Sequence, residues 1–235
     1  MKNSKKQNGR AYKYLDIIIL LDVAMMIIAN TTAGKITQLW IFTVSVTVFY
    51  FPFTYILGDL LTEVYGYQQA RRATWILIAA QILTAIIYSL VVIFPPAHGF
   101  KGNEAYTLVL GQAPRIVIGG FIGLFVGQFV NDFVLAKMKV ITKGKYLWIR
   151  TISSTITGQF FDTTLFYSIA LSNVIPAGLL LQTILSGWFL KVLVEALMTP
   201  VTYYVIGKLK KAEKEDFFDV NTNFNPLVVS LKQGK

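Results

Sequence analysis

No cysteine occurs among the 235 residues, which removes thiol nucleophiles, disulfides and thiolate metal ligands together. The one histidine, His98, cannot build a zinc site, and no Ser-His or Cys-His set is available for covalent catalysis. No GxxxxGK[ST] loop occurs, so the chain carries no phosphate cradle of its own for an ATPase. Charged residues make up only 14% of the chain and sit at the ends of long apolar runs. What remains in quantity is apolar: 54% of residues are hydrophobic.

About 20 helical residues cross a hydrocarbon core of about 30 Å, and six segments qualify: roughly 14–31, 38–57, 72–94, 114–136, 148–172 and 178–206. The reading is an all-α integral membrane protein, a single six-helix domain over 1–211 followed by a cytoplasmic polar tail over 212–235. The start resembles a signal peptide, but its apolar part is long, contains Asp22 and lacks a small-x-small cleavage site, so it reads as the first span. The net charge of +10 suggests nucleic acid until the positions of the charges are read. Lys and Arg crowd before the first span, between the second and third, between the fourth and fifth, and after the sixth, whereas the other side has only Lys35, Lys101 and Arg115. That asymmetry predicts cytoplasmic termini, a lipid bilayer as partner and no nucleic acid.

A carboxylate inside an apolar run is costly unless it faces a partner, a cavity or a substrate. Asp162 is such a residue, inside TISSTITGQFFDTTLFYSIAL. Its motif Gly158-Gln159-Phe160-Phe161-Asp162 has a near copy one span earlier, Gly127-Gln128-Phe129-Val130-Asn131. Residues three apart share a helix face, so each helix presents an amide with an acid or a second amide. Gln128 and Gln159 could equally hydrogen-bond across a packing seam, because Gly119, Gly120, Gly123, Gly127, Ser154 and Gly158 give both helices a face of small residues. Lys191 lies near the centre of the last span, with Glu195 one turn on and Asp162 as the alternative partner. Asp22 lies near mid-depth in the first span. Pro52 predicts a kink in the second span that frees the carbonyl of Val48. In GDLLTEVYGYQQARR, the acids and arginines read as a charged hairpin that caps helices and pairs internally, with a gate of ion pairs as the sharper reading. In the longest external connection, Asn103 is expected to cap a short lid helix with Tyr106, Val109 and Leu110 on one face.

Four stretches carry a resemblance: FPFTYILGDLLTEVYGYQQARRATW, NEAYTLVLGQAPRIVIGG, VGQFVNDFVLAKMKVITKGKYLWIRTISSTITGQFFDTTLFY and FLKVLVEALMTPVTY. In this order, over roughly residues 14–206, they resemble the queuosine-precursor transporter family, also called the vitamin-uptake-transporter family. The resemblance implies substrate-binding roles for Asn30, Asp59, Arg115, Gln128, Asn131, Gln159, Asp162 and Lys191. It also implies inner-membrane uptake of 7-deazaguanines such as preQ0, preQ1 or queuine, without enzymatic chemistry, cofactor or metal. Glu63, Asp132 and Glu195 are less characteristic of the pattern. A guanine-like ring presents two donors that one carboxylate accepts together, with amides reading the mixed edges, and Phe129, Phe160, Phe161 and Trp188 are candidates for its faces. The compact helical architecture also resembles the substrate-binding subunits of energy-coupling-factor vitamin importers, which work with separate partners. Homodimerisation stays open.

Overall fold

The computed structural model describes residues 12–32, 35–39, 42–111, 114–171, 177–220 and 222–227. The chain runs α1 (Leu15–Thr32), β1 (Ile36–Leu39), β2 (Phe42–Ser45), a 3-10 turn (Val46–Phe49), α2 (Phe51–Leu60) continued by a π turn (Leu61–Tyr65), then α3 (Tyr67–Ile93), α4 (Asn103–Leu110), α5 (Pro114–Ile141), α6 (Leu147–Leu171) and α7 (Ala177–Glu213). Among the described residues four helices are long and apolar enough to cross a membrane: α1, α3, and the bulk of α5 and α7. Helix α6, with 25 residues, has the length but not the composition. Its N-terminal two-thirds carries Thr151, Ser153, Ser154, Thr155, Thr157, Gln159 and Asp162.

The expected second span, 38–57, is not one helix. Ile36–Leu39 pairs antiparallel with Phe42–Ser45, Ile36 opposite Ser45 and Leu39 opposite Phe42. The run is rich in Ile, Val and Thr, which fit a pleated strand as well as a short apolar helix, and hydrophobicity alone does not separate the two. Helix α2 starts at Phe51, so Pro52 falls in the first helical turn rather than in a helix interior. A missing N–H costs nothing there, because first-turn N–H groups have no intrahelical acceptor. The predicted kink is therefore a helix start.

Two sets of contacts fix how the helices alternate. The carboxylate of Glu213, at the end of α7, accepts from the backbone N–H groups of Lys13 and Tyr14 at the start of α1, at 3.1 and 2.8 Å. At the other end of the bundle, Thr31 of α1 hydrogen-bonds Tyr88 of α3 at 2.9 Å. So α1 and α3 run one way and α7 runs the other. The main apolar core joins α1, α2, the π turn and the starts of α3 and α6 to α7 through Leu15, Leu60, Val64, Ala70, Leu147 and Ile206. The later part of α3 instead exposes Ile82, Leu83, Ile86, Ile87, Leu90 and Ile93, a surface suited to lipid. Helix α4 buries no side chain, and Asn103 is its first helical residue with no capping hydrogen bond in front of it. Gly111 closes it by donating to Thr107 at 2.9 Å.

The polar tail folds back onto the bundle. Phe217 is buried against Gly66, whose φ of +84° turns the chain from the π turn into α3 and leaves no room for a Cβ. Asp219 accepts from the N–H of Tyr67, capping α3, at 3.0 Å. Burial raises the Asp219 carboxyl above its ordinary value, against the opposing bonds from Tyr67 and Thr222. Arg71 donates to the carbonyls of Asn223 and Asn225 at 2.8 and 2.7 Å, and Trp75 to that of Pro226 at 2.8 Å. Arg71 thus serves the tail rather than the acids of its own hairpin.

Candidate functional site

The closest helix crossing lies between α5 and α6, where the repeated motifs meet in a reciprocal pattern. A Cβ placed on Gly158 would lie 2.7 Å from the Cβ of Asn131 and 2.9 Å from the carbonyl of Gly127. A Cβ on Gly127 would lie 2.5 Å from the Cβ of Asp162 and 2.9 Å from the carbonyl of Gly158. Each motif's glycine therefore seats the last residue of the other motif, and bare backbone is what lets both polar side chains enter the seam. Gly158→Ala should destabilise the protein by about 1–3 kcal/mol through overpacking. It should do so even though alanine is the better helix former by about 1 kcal/mol. Thermal unfolding in detergent gives the sign, and a stabilised variant would mean that the helices can part cheaply.

The glutamines do not bond to each other across that seam. Gln128 donates to Asp132 at 2.9 Å, and Gln159 accepts from the hydroxyl of Tyr55 at 3.0 Å. Asn131 donates to Asp59 on α2 at 3.4 Å. Asp162 receives the ammonium of Lys191 from α7 at 2.7 Å, and the same nitrogen lies 3.1 Å from Thr163. The second oxygen of Asp162 rests over Gly123, 3.0 Å from where a Cβ would stand. Asp59, Gln128, Asn131, Gln159, Asp162 and Lys191 thus form one connected region of α2, α5, α6 and α7. Asn30 joins a different contact, donating to Gln81 of α3 at 2.7 Å. Arg115 lies in the first turn of α5, and its side chain is outside the described residues.

Three acids that the sequence reading set aside are the most deeply buried of this region. Asp132 accepts from Thr62 at 2.9 Å and Gln128 at 2.9 Å, and Thr74 lies 3.5 Å away. With Asp22 and Gly58 it borders a small cavity with room for about one water. Glu195 is fully buried on α7, one turn beyond Lys191. Glu63 is fully buried and binds Arg150 at 2.7 Å and Lys210 at 2.7 Å, with Lys139 at 3.6 Å. Asp216 of the tail joins the same group through Lys139 at 2.7 Å and Lys210 at 2.8 Å. Burial would raise the Asp216 carboxyl, but the two lysines outweigh it and hold the carboxyl below its ordinary value. The charged hairpin is thus paired with the ends of α5 and α7, the start of α6 and the tail. The sequence signal was the density of Lys and Arg at these helix ends, though nothing in it named Glu63 as their common partner.

Among the aromatic candidates, Phe129 is a core residue packed between Phe125 and Trp75, with ring centroids 5.0 and 6.2 Å away. Phe160 stacks edge-on with Phe161 and with Trp188, both at 5.7 Å. Trp188 also donates to the carbonyl of Ile156 at 2.9 Å, which ties this group to α6 beside Asp162. Among the described residues no group of three or more His, Asp or Glu could hold a metal ion.

Partly buried polar groups meeting at a helix crossing inside an apolar bundle are what a membrane carrier requires, and relatives of the chain agree. A Bacillus subtilis (strain 168) protein named "Probable queuosine precursor transporter" is 25% identical over 176 residues, 74% of this chain and 77% of that protein. A Haemophilus influenzae protein of the same name is 26% identical over 120 residues, 51% of this chain and 48% of that protein. No solved structure matches. Residues 45–205 match the family described as "Putative vitamin uptake transporter", which is well over half of the chain, and this multi-pass membrane protein belongs to that transporter family.

Proposed function

We propose that the chain imports a queuosine precursor, a 7-deazaguanine such as preQ0, preQ1 or queuine, through a polar site at mid-depth. In this reading α2 and α6 complete a six-helix bundle, and both termini face the cytoplasm, as the distribution of Lys and Arg favours. The names of the two relatives support the substrate class. The observation that carries the site is the reciprocal crossing of the two motifs, which holds Asn131 and Asp162 in one seam with Lys191 bound to the acid. An arriving base presents two donors on one edge. Asp162 accepts both when Lys191 yields, and the amides of Gln128, Asn131 and Gln159 read the mixed donor and acceptor edges. Asp59 positions Asn131.

The test is a transport panel in proteoliposomes with labelled preQ0, preQ1, queuine and guanine. A charge-assisted contact contributes roughly 1.5–3 kcal/mol, so Asp162→Asn should weaken affinity tenfold or more while the protein still inserts. Near-normal uptake of a deazaguanine by that variant would reject the site, and refusal of every deazaguanine by the native protein would reject the substrate class. Uptake by the purified chain alone separates a self-sufficient carrier from a binding subunit of an energy-coupling-factor importer. Single cysteines at 128, 131, 159 and 162 in this cysteine-free chain should react with a small polar thiol reagent, and substrate should protect them.

A further inference from the structure

We propose that Asp59 of α2 and Glu195 of α7 share one proton, and that this proton is the coupling ion of the transport cycle. The inference rests on the transporter reading above but not on which base is carried.

Asp59 is 1% exposed and Glu195 is fully buried. Neither oxygen of Glu195 has a hydrogen-bond partner among the described residues, and the same holds for Oδ2 of Asp59. Helices α2 and α7 pack against each other, and Asp59 and Glu195 lie within electrostatic reach across that contact. Among the described residues the other groups facing the pair bring no cation. Asp132 of α5 and Glu63 of the π turn add negative charge toward Asp59, while Tyr55 of α2 faces Glu195 as well as Asp162. Asn131 of α5 contributes a neutral amide donor. Lys191 is bound to Asp162 and Thr163, and the ion pairs among the described residues include neither Asp59 nor Glu195.

Two carboxylates cannot both remain ionised side by side in a low-dielectric interior. A proton resolves this with the atoms present. It forms an O–H bond to one carboxyl oxygen, and that group donates to the orphaned oxygen of the other. The proton also has a mechanical consequence. With it in place α2 and α7 pack as observed; once it leaves toward water, two like charges drive those helices apart. Asn131 is bonded to Asp59 and seated on Gly158, so the separation reaches the seam that holds Asp162.

The experiment has two arms. Infrared spectra of the purified protein should show a protonated carboxylic C=O band near neutral pH that is lost in both Asp59→Asn and Glu195→Gln. In proteoliposomes, an inward proton gradient should drive accumulation by the native protein, with pH-dye signals reporting protons moving alongside substrate. Glu195→Gln resembles the protonated acid in shape and hydrogen bonding. It should keep substrate counterflow yet lose gradient-driven accumulation and the dye signal. A merely structural glutamate would lose both together, and that outcome overturns the proposal. So do accumulation driven by sodium instead of protons, a Glu195→Gln variant that still accumulates, or a C=O band unchanged in both variants. If no deazaguanine is transported at all, the functional reading fails while the infrared arm still judges the shared proton.

Discussion

Glu63→Gln should destabilise the protein by about 3–5 kcal/mol, the usual cost of removing one partner from a buried charge group. Glu63 is fully buried and one of its oxygens serves Arg150 and Lys210 at 2.7 Å, with Lys139 at 3.6 Å. Lys139 also donates to the backbone carbonyl of Glu63. Arg150 and Lys139 are themselves buried, so loss of the negative charge strands cations that water cannot reach. Asp216 can compensate only in part, because it is half exposed and contacts the lysines but not Arg150. The group binds the ends of α2, α5 and α7, the start of α6 and the tail, so the damage should appear as loss of cooperative unfolding in detergent. Replacing Glu63, Lys139 and Arg150 together by apolar residues of similar volume should recover much of the stability, since a buried ion cluster is often no better than good apolar packing. A Glu63→Gln variant within 1 kcal/mol of native stability would show that the cluster is screened and holds nothing together.

Lys191→Ala should abolish uptake, and its thermodynamic partner should be Asp162. The ammonium is 2.7 Å from Asp162, while both oxygens of Glu195, one turn along the same helix, lack a hydrogen-bond partner among the described residues. Contacting charged residues show coupling of about 0.5–3 kcal/mol in a double-mutant cycle. Part of each side chain is exposed, 27% for Lys191 and 20% for Asp162, so the lower half of that range is expected. Lys191→Ala with Asp162→Ala should recover stability without recovering transport, because the variant then has neither an unpaired charge nor an acceptor for the base. Stability coupling between Lys191 and Glu195, with none between Lys191 and Asp162, would overturn this assignment.

Much of the membrane architecture is legible in the sequence, because apolar length, charge at helix ends and small residues four apart are local properties. They gave the spans corresponding to α1, α3, α5 and α7 and the close approach at Gly127 and Gly158. Locality is also where legibility stops. For residues 36–45 the apolar run satisfied both a strand and a helix, and the strand pairing of Ile36 with Ser45 decided between them. The glutamines of the repeated motif look alike in sequence, yet one meets Asp132 on its own helix and the other meets Tyr55 of α2.

By itself the sequence determined that this protein lives in a membrane, carries no covalent or metal chemistry based on thiols, and must satisfy a carboxylate inside an apolar helix. Only the tertiary structure decided which group satisfies which. Lys191 chose Asp162 over the neighbour one turn away, Glu63 gathered Arg150 and Lys210 from 87 and 147 residues along the chain, and the tail closed over α3. The physical reason is that a hydrophobic pattern specifies which face turns inward, whereas a charge in a low-dielectric interior is stabilised only by atoms within a few ångströms. Those atoms are chosen by how the helices cross.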